Sequence, residues 1–430
     1  AEIVGWPLDA AARAGLAGAV VFTFTDEWFR GGAPVEGWHM GLTTADRMRR
    51  PAFAAVQTRF LAHTGFALRP ARVSVVVAAY NAEKTLEACL ESLLRLNHPD
   101  YEVLVIDDGS LDDTPVIAGR YPMVRTLRLP RNTGLSHARN LGIRAATGDI
   151  VAFTDADCRA DPDWLRFLVS ALEDLPVVGV GGPNLLPPDD PPLAAVVMAA
   201  PGGPAHVMLD DRFAEHIPGC NMAFWKWALD AVGGFDAAFE RAGDDVDLCW
   251  RLQRRDWKLG FSASAVVWHH RRSTVGDYLV QQAGYGEAEA LLLAKHPAHF
   301  NALGGARWQG RICTPGGRTD LLPWQRSVVF RGIFASGLFQ TLYTPAGDNV
   351  LPAFTSLEYH LLVELPLLIL AFSFPALWPL VGLSLAVPMV LSALTARGAL
   401  LPPDRARWWS RSVLAALHYL QPIVRGAARH

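Results

Sequence analysis

Two carboxylates separated by one small residue, Asp155-Ala156-Asp157, follow the apolar run Ile150–Thr154. In an extended chain, residues two apart share a face, so both acids project together from the end of that run. Like charges held this close repel unless something neutralises them. A hard divalent cation, Mg2+ or Mn2+, does so through oxygen ligands and leaves its other positions to phosphate and water. Taken alone, the triplet also fits a solvated acidic loop. A second pair, Asp107-Asp108, ends the apolar run Val103–Ile106 and precedes Gly109-Ser110. A carboxylate there can accept hydrogen bonds from a base or a ribose, or it can close an Asx-type turn. A third group, Asp244, Asp245 and Asp247, opens an amphipathic helical pattern. Acidic residues favour helix N-termini, but three exceed what a cap needs. One of them aimed into a cleft could take the proton of a hydroxyl, and Asp245 is the candidate. Finally, Trp268-His269-His270-Arg271-Arg272 follows the apolar stretch Ala263–Val267. His269 is a candidate third metal ligand, and Arg271 or Arg272 a phosphate partner; a core or surface histidine is the competing reading.

The elements that must position these residues alternate in type. Val73–Ala79 is a continuous apolar run of the kind found in buried parallel strands. The pattern predicts a helix over Thr85–Leu96, a strand over Val103–Ile106, a helix over Gly134–Thr147 and a strand over Ile150–Thr154. Asp161-Pro162 predicts a helix start, with Leu165, Leu168, Val169 and Leu172 at helical spacing. Val177–Gly181 reads as a further strand. The alternation is that of a doubly wound α/β sheet, which takes ligands at the carboxyl ends of its strands.

Composition narrows the class. The 430 residues carry 39 basic and 42 acidic side chains, net −3, so the basic excess of a nucleic-acid binder is missing and no nucleic-acid partner is expected. A hydrophobic share of 51% and a charged share of 19% lean toward a chain partly in a membrane. No charged residue occurs from Leu365 to Ala396, a run longer than the ~20 residues of one span and short of two. Adding residues 357–364 predicts a hairpin over 357–396 that turns near Pro375–Pro379; one long, proline-kinked helix is the other reading. Arg397, Arg405, Arg407, Arg411, Arg425 and Arg429 follow, and basic flanks lie on the cytoplasmic side, so 397–430 is expected to be a cytoplasmic tail. Between 297 and 356 the chain is irregular, with an interfacial helix expected over Val328–Tyr343. The five cysteines form no C-x-x-C pair and read as buried free thiols in a reducing compartment. Ala1-Glu2-Ile3 has no feature of a signal peptide, and the chain is expected to be a fragment. Its first 62 residues hold one apolar β-rich run, Gly18–Thr25, and one helical pattern, Arg50–Phe60. That is too little to bury a core alone. Residues 63–72 read as a linker.

Together, in this order and spacing, the motifs from Val73 to His296 resemble the family 2 glycosyltransferases with the GT-A fold. Val75–Asn81 is similar to that family's first strand and its nucleotide-binding start, which implies donor contacts at Ala79 and Asn81. Asp107-Asp108-Gly109-Ser110 resembles its base- and ribose-binding motif. Arg131-Asn132-Thr133-Gly134 with Ala138-Arg139-Asn140 is similar to its N-x-G…A-R-N segment, and Asp155-Ala156-Asp157 to its metal and diphosphate motif. Gly219-Cys220-Asn221-Met222-Ala223 resembles the acceptor-side loop. Asp244-Asp245 stands where the family usually carries Glu-Asp, whose second residue is the base. The resemblance implies a metal-dependent, inverting transfer of a hexose from a nucleotide diphosphate sugar to a carbohydrate acceptor; a uridine nucleotide is favoured on the hydrolase-barrel resemblance of the N-terminal residues, since such hydrolases often act on glucans. It implies Asp245 as base and Asp107, Asp108, Arg139 and Asp155 as donor-binding residues. Asp157, Asp155 and His269 would be metal ligands, and Asn221, Asp244 and Trp250 acceptor contacts. Membrane lipid is a further partner, and the expected place is the inner (plasma) membrane with the catalytic domain in the cytoplasm, where nucleotide sugars are made. Processive members carry Q-x-x-R-W after the base; here the region reads Gln281-Gln282-Ala283-Gly284-Tyr285-Gly286, which points to single or limited transfers. Phe22–Trp28 and Gly41…Arg50-Pro51-Ala52-Phe53 resemble the end of a glycoside-hydrolase (β/α)8 barrel, without the strands that would carry the two carboxylates of hydrolysis. A non-catalytic nucleotide-sugar or glycan-binding module is the alternative, and a glycoside hydrolase the third.

Overall fold

The computed structural model describes residues 2–13, 19–26, 29–30, 33–34, 39–44, 48–62, 71–301, 304–313, 351–399 and 401–430. The chain divides into two units, Ala1–Arg69 and Pro70–His430.

In the first unit, helices Glu2–Arg13 and Pro51–Ala62 pack together around a small core of Leu8, Leu42 and Val56. Gly41 N–H donates to Asp26 at 2.6 Å, and the Arg50 guanidinium also holds that carboxylate. The strand expected over Gly18–Thr25 does not form among its described residues, where Thr25 makes only an isolated bridge to Thr43. Leu42 N–H and Thr43 N–H donate to Thr23 O and Phe24 O at 2.9 and 2.8 Å, but a ladder needs continued pairing, and the described part of this unit carries it no further. No barrel is present among these residues. The resemblance to a barrel remnant is not supported.

The second unit is built on a ten-stranded mixed sheet. Its labelled strands are β1 (Val73–Ala79), β2 (Tyr101–Asp107), β3 (Val124–Arg128), β4 (Ile150–Asp155), β6 (Gly179–Gly181), β8 (His206–Met208), β9 (Phe213–His216), β10 (Asn221–Trp225), β11 (Leu259–Phe261) and β13 (Arg311–Cys313). They lie in the order β13-β8-β9-β11-β6-β10-β4-β1-β2-β3. Strands β3, β2, β1 and β4 run parallel, and β10 is antiparallel to both β4 and β6. A second, three-stranded sheet joins β5 (Cys158–Ala160), β12 (Val267–His269) and β7 (Asn184–Leu185). The mixed α/β sheet read from the sequence is therefore present.

Its centre explains why the runs were legible. Val73, Val75, Val76 and Val77 have no exposed surface, because helices cover both faces of β1. On one face α1 (Leu86–Leu93) buries Leu86, Leu90 and Leu93 completely, each worth about 1.5–3 kcal/mol of transfer free energy. On the other, α3 (Leu135–Ala145) comes so close that a Cβ on Gly142 would stand 2.3 Å from Val76 Cγ1. The remaining helices are α2 (Thr114–Gly119), α4 (Trp164–Asp174), α5 (Pro192–Ala199), α6 (Lys226–Val232), α7 (Asp244–Gln253) and α8 (Val275–Lys295). Helix α4 begins at Trp164, with Asp163 rather than Asp161 at its N-cap. Asp161 instead accepts from Asp163 N–H at 3.0 Å, a local side-chain bond that delays the helix.

After residue 350 the chain is helical. A run from Leu357 through a π-helical turn, His360–Glu364, leads into α9 (Leu365–Ser373). The chain breaks at Phe374 and continues as a 3-10 turn, Pro375–Leu377, and α10 (Trp378–Gly398). Thus the turn falls near the expected prolines, but the two-span hairpin is not supported. Among the described residues one helix, Pro375–Gly398, is long and apolar enough to cross a membrane, with 24 residues and mean hydropathy 1.9. The first arm carries Glu358, His360 and Glu364 within two turns, and charge is costly in a bilayer. The expected basic tail contains an amphipathic helix, α11 (Ser410–Arg429). It packs on α8, α10 and α5, with Leu414 and Leu417 fully buried. The interfacial helix over Val328–Tyr343 lies outside the described residues. Cys89, Cys158, Cys220 and Cys249 are buried free thiols.

Candidate active site

A cavity of about 1640 Å3 opens at the carboxyl ends of β1 and β4. Asp155, Asp157, Asp245, Arg139 and His269 line it together, with Asn81 at one edge. It therefore brings the acids of β4 and α7 to one space.

Strand β4 ends at Asp155, and Asp157 follows in the turn to β5. Both side chains are partly exposed, 30% and 22%, and each is opposed by cations. Arg139 NH2 donates to Asp155 at 2.9 Å; its NH1 donates to Asp244 at 2.5 Å, and NH2 also reaches Gly219 O at 3.1 Å. Asp157 faces His269 Nε2 at 3.3 Å and Arg272 NH1 at 3.7 Å. Burial raises the Asp157 pKa, but His269, then Arg272 and Arg271, outweigh it and hold the acid at about 2. Arg271 is spent on structure: NH1 donates to His269 Nδ1 at 2.9 Å and NH2 to Asn184. Arg272, 46% exposed, is the better placed phosphate partner.

Across the cavity, Asp245 stands at the start of α7. Its carboxylate accepts from Gly219 N–H at 2.9 Å and Val246 N–H at 2.8 Å, and its Oδ2 lies 3.5 Å from His216 Nε2. Burial raises its pKa, and His216, Gly219 N–H and Arg139 together bring it down to about 2. The neighbouring Asp244 behaves oppositely. Burial raises it most, Arg139 opposes that, and the like charge of Asp245 adds to it, so its pKa stands near 6.

Several sequence candidates lie outside the cavity or reach it only with groups already engaged. Asn221 is fully buried; its Oδ1 accepts from Trp164 Nε1 at 2.8 Å, and Nδ2 donates to Pro183 O and Ala265 O at 2.9 and 2.7 Å. Both of its N–H donors are used, and Asn221 does not line the cavity. Trp250 is 1% exposed and stacks on His299 at 4.1 Å, so it is a core residue. Asp244 lines the cavity, but it is 2% exposed and its carboxylate is held by Arg139. Arg139 itself is 3% exposed and fixes Asp155, Asp244 and Gly219 rather than offering a free guanidinium to the donor. Asp107 and Asp108 do not line the cavity. Asp108 accepts from Thr133 N–H, Thr133 Oγ1 and Gly134 N–H at 2.8, 2.8 and 2.9 Å. Asp107 accepts from Ser110 N–H at 2.9 Å and faces Arg128 Nε at 3.1 Å. Between them and the next loop, Gly109 has φ 72°, and a Cβ there would meet Arg131 backbone at 2.4 Å. Ala79 gives its carbonyl to Asp108 N–H at 2.8 Å and is 2% exposed. Asn81 remains exposed on the rim, its Oδ1 accepting from Leu111 N–H at 2.9 Å.

The cavity also holds residues that the sequence did not single out. His216 ends the four-residue strand β9, too short for a periodic signal. Tyr285 comes from α8, in the place of the processive motif, and Arg425 arrives from α11. Arg425 NH2 donates to Glu289 at 2.7 Å, and its guanidinium lies 5.6 Å from the Tyr285 ring centroid. No local pattern in α11 announces that contact.

A divalent cation fits at the β4 end. One ligand atom each from Asp157, Cys158 and His269 lies within 4.8 Å of the others. The carboxylate and the imidazole suit Mg2+ or Mn2+. Burial, with the charge of Asp157 and Asp155 and the neighbouring Cys220, raises the Cys158 thiol well above its usual range, so it is a poor ligand. Nδ1 of His269 lies against Arg271 NH1 and Nε2 against Asp157, so ligation by Nε2 requires the ring to give up its proton there.

Residues 74–228 match the model of glycosyl transferase family 2. A pre-mycofactocin glycosyltransferase of Mycobacterium tuberculosis is 31% identical over 233 residues, covering 52% of this chain and 48% of that one. A poly-beta-1,6-N-acetyl-D-glucosamine synthase of Staphylococcus epidermidis is 26% identical over 225 residues, 50% of this chain and 54% of that one. The chain thus spans about half the length of these curated relatives. Among solved structures, a mannosyltransferase from Pyrobaculum calidifontis, in complex with GDP-Man and Mn2+, is 20% identical. It covers 70% of this chain and 77% of its own at a TM-score of 0.42, too loose a likeness to carry an argument. The family match falls on the segment that carries Arg139, Asp155 and Asp157, and the names of the relatives agree with it, so this segment is similar to the family 2 glycosyltransferases.

Proposed function

We propose that this protein moves a hexose from a nucleotide diphosphate sugar to a hydroxyl of a glycan or related acceptor, with inversion at the anomeric carbon. The observation that carries this reading is the placement of Asp155 and Asp157 in the same cavity as Asp245. The diphosphate end of the donor belongs at Asp155 and Asp157, beside Arg272. The acceptor hydroxyl belongs at Asp245. That carboxylate takes the hydroxyl proton as the new bond forms, and attack from the side opposite the leaving group inverts the configuration. Asp157 and His269 would hold Mg2+ or Mn2+, with one oxygen of Asp155 alongside; when bound, such a cation neutralises charge on the leaving diphosphate. Arg139 keeps Asp155 and Asp244 in place from behind.

The apolar helix Pro375–Gly398 supports attachment to a membrane, and the arginines that follow it favour the cytoplasmic side for the catalytic unit. The favoured uridine nucleotide is part of this proposal; no barrel remnant adds support for a glucan substrate.

A screen of nucleotide sugars by thermal shift with Mn2+ selects the donor. Release of nucleoside diphosphate, with and without chelator, then measures turnover. Asp245→Asn is expected to bind the donor as the wild type does and to lose transfer by at least ~10²-fold. Transfer at the wild-type rate would remove Asp245 as the base. Donor binding with no release in the wild type would favour a binding module.

A further inference from the structure

His216 is a histidine at the base that nothing above explains. It is the last residue of β9 and pairs with Val207 of β8 next to a register shift between Val207 and Met208. Such an irregularity re-aims side chains, and here the ring points into the cavity. The ring is 7% exposed and packs beside Trp308 at 5.7 Å between centroids. Its Nδ1 lies 3.0 Å from Ala205 O. A carbonyl oxygen only accepts, so Nδ1 carries a hydrogen and the tautomer is fixed. When the ring is neutral, Nε2 therefore presents a lone pair. That lone pair faces Asp245 Oδ2 across 3.5 Å, and Nε2 has no hydrogen-bond partner among the described residues. Two electron-rich atoms facing each other across a short gap lack one thing, a proton.

Glycosyl transfer supplies it. The acceptor O–H gives its proton to Asp245 while its oxygen bonds to the anomeric carbon. The bond from that carbon to the diphosphate oxygen breaks, and its electron pair leaves with the nucleotide. We propose that His216 is the positioning residue of the base: its Nε2 receives the proton from Asp245 and so returns the carboxylate to its charged form. The product state is then an imidazolium–carboxylate pair, a charge-assisted contact, and the proton passes to solvent when product leaves. Asp245 accepts from two backbone donors, Gly219 N–H and Val246 N–H, which favour its charged form, so a second acceptor beside it makes the transfer productive. The charged and titratable groups that face His216 are Asp245 from α7, His206 from β8 and Glu215 on its own strand.

This inference rests on the reading of Asp245 as the base, and the test separates the two. The full chain is assayed with whichever of UDP-glucose, UDP-N-acetylglucosamine and GDP-mannose, each with Mn2+, releases nucleoside diphosphate fastest. His216→Ala should lower kcat about 10²-fold, the low end of what positioned proton transfer contributes, with donor KM unchanged. Added imidazole should restore part of that rate, since the vacated space opens on the cavity. His216→Gln fills the space without accepting a proton, should be as slow as His216→Ala without imidazole rescue, and should differ from the wild type in its pH–kcat profile. If both variants turn over at the wild-type rate while Asp245→Asn is dead, the inference fails and the base assignment stands. If activity is lost without imidazole rescue and with an unchanged pH profile, His216 is only structural and the inference fails as well. Asp245→Asn at the wild-type rate sinks the underlying reading first.

Discussion

Two strand ends in this molecule look alike in sequence and differ in use. Strands β2 and β4 are both buried, parallel and next to β1, and both end in carboxylates. At the end of β2, Asp107 and Asp108 are met mostly by backbone N–H groups of nearby turns, and neither lines the cavity. At the end of β4, Asp155 and Asp157 are met by the side chains of Arg139, His269 and Arg272, and both line it. Backbone donors are permanent and consume a carboxylate. Side-chain cations at a cavity wall can give way to a ligand. The partner type, rather than the acidic pair, separates a fold-holding motif from a ligand-holding one.

The comparison breaks or holds on paired substitutions. Asp157→Asn removes a charge that the cavity uses, so transfer should fall by about 10²–10³-fold, the scale for loss of a preorganised electrostatic group. Thermal stability should change little, because no backbone donor depends on Asp157 among the bonds described. Asp108→Ala should do the reverse. It strands Thr133 N–H and Gly134 N–H, and an unsatisfied buried donor costs about 1–3 kcal/mol. Denaturant unfolding should register that loss, while kcat per folded molecule stays within a few-fold. If Asp108→Ala abolishes turnover at full stability, the pair at β2 serves the donor directly and the contrast is wrong.

A smaller effect is expected at Asn221, which bonds Trp164, Pro183 and Ala265 behind the cavity. Asn221→Ala should lower stability by about 1–3 kcal/mol, the cost of leaving such groups unpaired. Acceptor KM should not change. A raised KM at unchanged stability would restore Asn221 to the acceptor side.

How much of this was legible depends on range. The parallel strands could be read because helices cover both sides of the sheet and every residue of Val75–Val77 must be apolar. The acids at strand ends could be located for the same reason. What the sequence could not display was where their hydrogen bonds go. Asp108 is consumed by Thr133, 25 residues on; Asn221 by Trp164, 57 residues back. Asn221 and Trp250 were assigned to the acceptor by motif position, and motif position could not show that both side chains are buried. Near Thr25 propensity marked a run whose described pairing stops at a single bridge. Hydropathy marked the apolar helix, and one described helix is long and apolar enough to cross a membrane. His216 and Arg425 were invisible because each enters the cavity from an element with no local signature of chemistry.

The last expectation concerns acid. His206 on β8 is packed against Phe261 at 4.8 Å between ring centroids, and its Nδ1 has no partner among the described residues. Burial, with the nearby His216, lowers its pKa from 6.5 to about 4. Between those values the unfolded chain binds a proton that the folded chain refuses. Stability rises with pH wherever the unfolded state holds more protons, so His206 contributes fully above pH 6.5, and that contribution is lost as pH falls toward 4. Asp244, raised to about 6, acts with the opposite sign in part of the same window. The informative quantity is therefore the difference between two proteins. The melting temperature of the wild type should fall more steeply from pH 6.5 to 4 than that of His206→Phe, which keeps the ring packing and cannot titrate. Below 4 the two curves should run parallel, because Asp157 and Asp245, both held at about 2, are present in each. Equal slopes in the upper window would mean that His206 is solvated enough to take up its proton in the folded state, and the β8 edge of the cavity would then be looser than its packing indicates.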